Sequence, residues 1–346
     1  MIGKRWLLRL AALTALAALA LGVVGCGGDD DGGSAGGDIS VGLVTDTGGV
    51  NDRGFNQFSI AGLDQAAEDL GIETRVYVSE TEDDYLPNLT AAAEDGHDFV
   101  LAVGFLLAPA VIEVATEYPD TDFAGVDHFY GAPDCADTKT CFQPNAMGMV
   151  YPTEEAGYVA GVVAALMSES KTVSTVGGKK IPPVDNWIAG FQLGVSDTDS
   201  SVKVLNAYSD DFDDQAKCKE IALDQISQGS DVVFQVAGDC GLGAIDGACE
   251  QDKYAIGVDA DQSAQGECVI TSALKPLQDS VASIIQTYVD GAFEGGTNTT
   301  YGVADLPDAA LLAPFTAAVP SDVQDAANEA TEKITSGEVD PPATLD

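Results

Sequence analysis

Short apolar runs alternate along the chain with longer segments of helical spacing. The first run, Val41 to Val44, breaks at Asp46 into a polar loop containing glycine, then enters a helix at Phe55. Phe58, Leu63, Ala66 and Ala67 give that helix an apolar side, and Gly71 ends it. Thr74 to Val78 reads as a strand, Tyr85 to Glu94 as a helix, and Phe99 to Gly104 as a continuous apolar strand. Such a strand suits a sheet covered on both faces. Ala108 to Tyr118 is helical and is stopped by Pro119, and Phe123 to Asp127 is a fourth strand. This strand-helix alternation predicts a parallel, doubly wound α/β sheet.

Tyr130 to Pro144 reads as an insertion, after which the pattern restarts. Thr153 to Met167 is a helix rich in small residues, with Thr153 as a suitable cap and Glu154 and Glu155 in its first turn. Strands follow at Thr172 to Val176, Val202 to Tyr208, Asp231 to Val236 and Tyr254 to Val258. Helices are expected at Asn186 to Gly194, Ala216 to Gln228 and Gly243 to Gln251. Val269 to Ser272 reads as a crossover strand, and Leu277 to Phe293 as a helix packing back on the first lobe. Tyr301 to Phe315 reads as extended, and Ser321 to Ser336 as a last helix. The expected organisation is an N-terminal lobe of residues 39–150 plus 274–300, a C-terminal lobe of 151–273, and a final crossover segment with its helix at 301–346.

The first 25 residues stand apart from this pattern. Lys4, Arg5 and Arg9 precede an apolar run of about 15 residues, short for a membrane span. The run ends in Val23-Val24-Gly25-Cys26, which resembles a bacterial lipobox. That resemblance implies cleavage before Cys26, lipid on its sulfur, and attachment to the outer face of the cell membrane. An ordinary signal peptide or a single-span anchor is the plainer alternative. Gly27 to Asp38 is then a flexible, extended tether.

Charge removes one class of partner. The chain has 56 acidic and 15 basic residues, a net charge of −41, and loss of the three N-terminal basic residues takes this to about −44. Such a field opposes nucleic-acid binding through phosphates. Strong acidity fits a saline habitat or simple solubility.

With Cys26 lipidated, six of the seven cysteines remain, an even number in an exported chain and a pattern that favours disulfides. Cys135 and Cys141 flank a short loop they can close. Cys218, Cys240, Cys249 and Cys268 allow three pairings; 218–240 and 249–268 are favoured because each would join a helix to a neighbouring strand or its loop. Zinc is the rival reading, but no CxxC or HxxxH spacing supports it. No cofactor is called for.

Candidate binding chemistry gathers at strand ends. In open α/β sheets, ligands bind beyond the carboxyl ends of strands. Asp46, Asp127 and Asp259 each fall there. A single Asp in that position often caps the next helix, but three on two lobes facing one cleft favour a binding role. The first loop adds Asp52, Asn51 and Asn56, with Phe55 as an aromatic face. Phe212 or Trp187 would supply a second face from the other lobe. Lys275 would anchor a hydroxyl or pair with Asp259, against the plainer reading of a solvated lysine. No GxxxxGK[ST] or GxGxxG phosphate loop is present in the first loop.

The stretch VGLVTDTGGVNDRGFNQ resembles the signature of the basic membrane protein family, substrate-binding lipoproteins of ABC-type nucleoside importers. Further matches run in order: AVGFLLAPAV with FAGVD, TEEAGYVAGVVAALM, VGG with WIAGFQLGV, DVVFQVAGDCGLGAI, IGVDADQ and TSALK. The resemblance covers nearly all of residues 39–340 and implies a type I periplasmic-binding-protein fold, two lobes closing on ligand about a hinge. It implies ligand contacts from Asp46 and Asn51, stacking by Phe55, a bond from Asp127 to a base edge, and ribose contacts from Gly238, Asp259 and Lys275. The family's aromatic-DPAK stretch is Phe212 with DDQAK here, and Asp239-Cys240 replaces smaller residues. The implied partners are a nucleoside, a purine as in the family's best-known branch, and the permease subunits of an importer, with the chain read as a monomer.

Other readings fit less well. A nucleoside hydrolase would need clustered Asp ligands for calcium; DADQ at 259–262 and DDFDD at 210–214 do not follow the first strand, as such a site requires. No GxSxG elbow follows a predicted strand; the pattern is spelled only by Gly32 to Gly36, inside the tether. A repressor of the same fold would need a helix-turn-helix and a basic surface. A sugar ligand, or a sensing role without transport, keeps the fold and changes only the use of the cleft.

Overall fold

The computed structural model describes residues 39–131, 143–306 and 309–345. Expectations for residues 1–38, Cys26 included, and for Cys135 and Cys141 lie outside the described residues. The first half of the chain builds β1 (Ser40–Val44), α1 (Phe55–Leu70), β2 (Glu73–Tyr77), α2 (Tyr85–Glu94), β3 (Phe99–Val103), α3 (Ala108–Glu117), β4 (Asp122–Val126) and β5 (Ala146–Val150). The second half builds α4 (Thr153–Met167), β6 (Thr172–Gly177), α5 (Pro182–Thr198), β7 (Lys203–Tyr208), α6 (Gln215–Ser227), β8 (Val232–Val236), α7 (Gly238–Glu250), β9 (Tyr254–Asp259) and β10 (Val269–Leu274). Then come α8 (Leu277–Val289), β11 (Thr297–Thr300) and α9 (Ser321–Thr335).

Two sheets result, ordered β11-β5-β4-β3-β1-β2 and β10-β9-β8-β6-β7. Their pairings are parallel. Parallel strands need both faces covered, and the fully buried runs of β3 and β8 meet that need. Apolar cores lie on both sides of each sheet. In the first lobe, Leu63 and Val281 mark one core, and Leu89 and Val111 the other. In the second, Val159 and Phe191 mark one, and Ala222 and Ile245 the other. This is the two-lobed, type I periplasmic-binding-protein architecture.

The chain passes from one lobe to the other three times: between β5 and α4, between β10 and α8, and between β11 and α9. Helix α8 returns to pack on α1, while α9 packs on α4. Within the segment expected to be extended, Tyr301 to Phe315, residues 311–313 pair with β10 at an antiparallel bridge between Ala273 and Leu312, and the other described residues form no strand.

Two strands escape the hydrophobic pattern. β5 reads Ala-Met-Gly-Met-Val, with small residues diluting its apolar run, and β11 reads Thr-Asn-Thr-Thr at a sheet edge, where no buried face is demanded. Helix α5 begins earlier than its apolar spacing suggests, because Pro182 and Pro183 occupy first positions that need no N–H. Helices α4 and α5 meet at backbone distance. A methyl at Gly157, Gly161, Gly190 or Gly194 would come within 2.0–2.3 Å of a carbonyl oxygen on the facing helix.

Both favoured disulfides are present, Cys218–Cys240 and Cys249–Cys268. The first differs in kind from the expectation: it joins two helices, α6 and the first turn of α7, because α7 starts at Gly238 rather than Gly243. That shift brings the start of α7 to the cleft.

Candidate ligand-binding site

A cleft lies where the carboxyl ends of the two sheets face each other, with about 610 Å³ of empty space when the solvent at its opening is counted. It is lined from the first lobe by Asp46, Thr47, Asp52, Phe55, Gly104, Phe105 and Asp127. The second lobe supplies Ile181, Pro183, Val184, Trp187, Phe212, Gly238, Asp239 and Asp259, and Lys275 enters from the β10–α8 crossing. Asn51, in contrast, is exposed and outside this lining.

The local reasons are backbone reasons. Asp127 and Asp259 both adopt left-handed conformations, φ 64° and 65°. Aspartate tolerates that region better than most residues. Each strand therefore ends in a sharp turn at the carboxylate. In the first loop Asn56 accepts from the Asp46 N–H at 3.1 Å and donates to the Asp46 and Thr47 carbonyls at 3.3 and 3.0 Å. Asn56 thus fixes the loop.

Asp52 caps α1. Its carboxylate accepts from the N–H groups of Gly54, Asn56 and Gln57 at 3.1, 2.7 and 3.0 Å. An Asp just before a helix carries that signal in sequence, and here the carboxylate is committed to α1 although it also borders the cavity.

Lys275 pairs with Asp127, not with Asp259. Its ammonium lies 2.6 Å from both Asp127 oxygens, with the side chains 2% and 9% exposed. The reason is reach: the Lys275 backbone N–H is already tied to the Asp259 carbonyl at 2.9 Å, and the side chain crosses to the first lobe. The ammonium lies 4.8 Å from the centre of the Phe55 ring and 4.5 Å from that of Tyr151, at cation–π distance. Tyr151 sits between β5 and α4, so this contact lies at two interlobe crossings.

Asp259 is different. Among the described residues no group donates a hydrogen bond to its carboxylate. Burial pushes its pKa up to about 7, opposed by Lys275 and reinforced by Asp127 and Asp52. Asp46 is also pushed up, to about 6, chiefly by burial, while bonds from Tyr85 and the Thr47 N–H pull it back. Carboxylates predominate over a single ammonium in the lining. Such a site repels phosphate and accepts from hydroxyl and amino groups.

Among the aromatic candidates, Phe55 and Phe212 are partly buried and Trp187 is nearly enclosed. Phe212 lies against Gly178, where a methyl would come within 2.3 Å of its ring. Trp187 meets Phe234 edge-on at 6.3 Å, so it packs in the core as well as bordering the cavity.

The lobes also touch through residues outside the cavity lining. Lys179, before α5, pairs with Glu82 before α2. Gln262 donates to the Arg53 carbonyl at 3.4 Å, and the Arg53 guanidinium reaches Gln265. Neither Lys179 nor Tyr85 stood out in sequence. A lysine in a loop and the first aromatic of a helix carry no local mark of a site; their roles arise from packing across the chain.

Comparison with known proteins fits this geometry. Residues 39–340 match the family described as Bmp, ABC transporter substrate-binding protein PnrA-like. The chain belongs to the Bmp family. A CD4+ T-cell-stimulating antigen from Listeria innocua is 32% identical over 96% of this chain and 98% of its own length. The ABC transporter nucleoside-binding protein BmpA of Lactococcus lactis is 30% identical over 85% of this chain and 89% of its own length. Among solved structures, an ABC transporter solute-binding protein from Aeropyrum pernix superposes with a TM-score of 0.75 at 25% identity, covering 89% of this chain and 94% of that one. This Bmp family member is thus a substrate-binding protein of an ABC transporter, not an enzyme, and it works outside the cytoplasm with permease subunits as partners.

Proposed function

We propose that the protein captures a nucleoside, a purine nucleoside above all, and delivers it to its importer. The observation that carries this reading is the Asp259 carboxylate, lacking a donor among the described residues beside the Lys275–Asp127 pair, in a cavity that also presents the Phe55 ring. Ribose hydroxyls are the donors such a carboxylate needs. A flat base gains from an aromatic face, about 0.5–1.5 kcal/mol beyond area burial. The printed name of the Lactococcus relative supports the same ligand class. In this reading Asp46, Asp127, Phe55, Phe212, Gly238, Asp259 and Lys275 contact the ligand, and Trp187 backs the pocket. Asn51 would join only on movement of its loop. Lipid on Cys26 holds a monomer at the membrane.

Competition among related compounds tests the ligand class. A ribonucleoside should outcompete its 2′- or 3′-deoxy form by at least about tenfold, because the unmet carboxylate is costly. A 5′-monophosphate should fail to compete. Equal affinity for the deoxy forms would remove the ribose assignment.

Closure has its own test. Lys179→Glu replaces the Glu82 pair with like charges and adds a carboxylate near Asp46 and Asp210. Exposed pairs are individually weak, so affinity should fall about three- to tenfold, with Glu82→Lys restoring it in the double variant. High salt should shrink the difference. Loss of affinity that the double variant leaves uncorrected would place Lys179 outside the closing contact.

A further inference from the structure

Asp46 is held from one side. Its Oδ1 accepts the Tyr85 hydroxyl and the Thr47 N–H, the latter at 2.8 Å. Among the described residues Oδ2 accepts no hydrogen bond. A methyl on Gly104 would come within 2.4 Å of Oδ2, so only glycine leaves room for it, and Gly104 also adopts φ +118°. Both Asp46 and Gly104 border the cavity. Tyr85, the first residue of α2, is 4% exposed.

The wall opposite is fixed as well. The Gly104 carbonyl lies 2.8 Å from His128 Nε2, and Nδ1 lies 2.7 Å from the Tyr130 hydroxyl. A carbonyl only accepts, so Nε2 carries the proton and Nδ1 accepts from Tyr130. Burial pushes His128 down to about 4, so it stays neutral through the range in which Asp46 changes charge. The other charged groups acting on Asp46 are Glu82, in the turn before α2, and Lys179 of the second lobe.

We propose that Tyr85 is a positioning residue for ligand selection: by holding Oδ1 it leaves Oδ2 as the one acceptor Asp46 presents, so this corner takes a ligand group that donates an N–H or O–H. The proposal rests on the nucleoside reading for the ligand's identity, not for the geometry. A ligand whose edge offers only lone pairs at this point is refused, because two acceptors then face each other.

Two readouts on the full chain test it. The first is the carboxyl ¹³C titration of Asp46 without ligand, assigned by its absence in Asp46→Asn. Tyr85→Phe keeps the ring and its packing and removes only the donor. The Asp46 midpoint should rise above its wild-type value near 6. The second is calorimetric affinity for inosine, guanosine and adenosine at pH 7.5. Tyr85→Phe should weaken the best-bound of these about three- to tenfold, as loss of a single hydrogen bond allows. Adding Tyr85→Phe to Asp46→Ala, which leaves the hydroxyl no side-chain acceptor at position 46, should cost nothing further. An unmoved Asp46 midpoint overturns the proposal even where affinity falls, since Tyr85 would then act on packing alone. An unchanged affinity with a moved midpoint overturns the selection role. If none of the three nucleosides binds wild type, the ligand reading fails, and the Asp46 titration still decides whether Tyr85 holds the carboxylate.

Discussion

Lys275→Met is expected to abolish measurable nucleoside binding and to destabilise the fold at the same time. The substitution leaves Asp127 charged, buried and unpaired at the hinge, since the lysine and aspartate side chains are only 2% and 9% exposed. Removing one partner of a buried pair costs about 3–5 kcal/mol, because the remaining charge loses its compensation. It also removes the ammonium that Phe55 and Tyr151 flank. Chemical unfolding of the double variant Lys275→Met/Asp127→Asn separates the two effects. Stability should recover most of the loss, because no unpaired charge remains, while binding stays lost. Full stability in the single variant would show that the pair carries no structural weight. Recovered binding in the double variant would show that neither residue meets the ligand.

Asp259→Ala should weaken binding by at least about tenfold, with Asp259→Asn close behind, because an amide offers a weaker, uncharged acceptor. The pH dependence identifies the group. In the ligand-free protein burial holds Asp259 near 7, above its ordinary value of 3.8. A raised folded pKa gives a contribution to stability that is fully present below the unfolded value. It is lost as pH rises through about 7. Ligand hydroxyls need the charged acceptor, so affinity should move the other way, rising with pH and levelling off above about 7. Asp46 adds a second, lower step near 6. Asp259→Asn should erase the upper step in affinity and leave the lower. An affinity that is flat between pH 5 and 8 in the wild type would contradict direct contact between these carboxylates and the ligand.

Much of this site could be read from the chain because parallel α/β folds put ligand chemistry at strand ends. Asp46, Asp127 and Asp259 each follow a short apolar run that reads as a strand, and all three border the cavity. What the linear pattern lacked was partner choice. The charge of Lys275 suggested a carboxylate partner, but whether Asp127 or Asp259 answered it depends on which way a side chain crosses the hinge. Asp52 and Asn51 are neighbours of similar polarity; only the position of the first α1 N–H groups commits Asp52 to capping. Tyr85 and Lys179 were silent because their partners, Asp46 and Glu82, lie far away in sequence. The strands β5 and β11 were missed for a related reason: small and polar residues pair through the backbone wherever a neighbouring strand edge is open.

The most direct test is isothermal titration of the purified full chain, unfolded and refolded to strip carried-over ligand, with adenosine, guanosine, inosine, cytidine and ribose. Saturable heat from one or more purine nucleosides at a single site, with the nucleoside recovered intact, is the expected result. Silence toward every nucleoside, with binding of ribose or another sugar, would contradict the central claim and leave a substrate-binding protein whose cleft serves a different cargo.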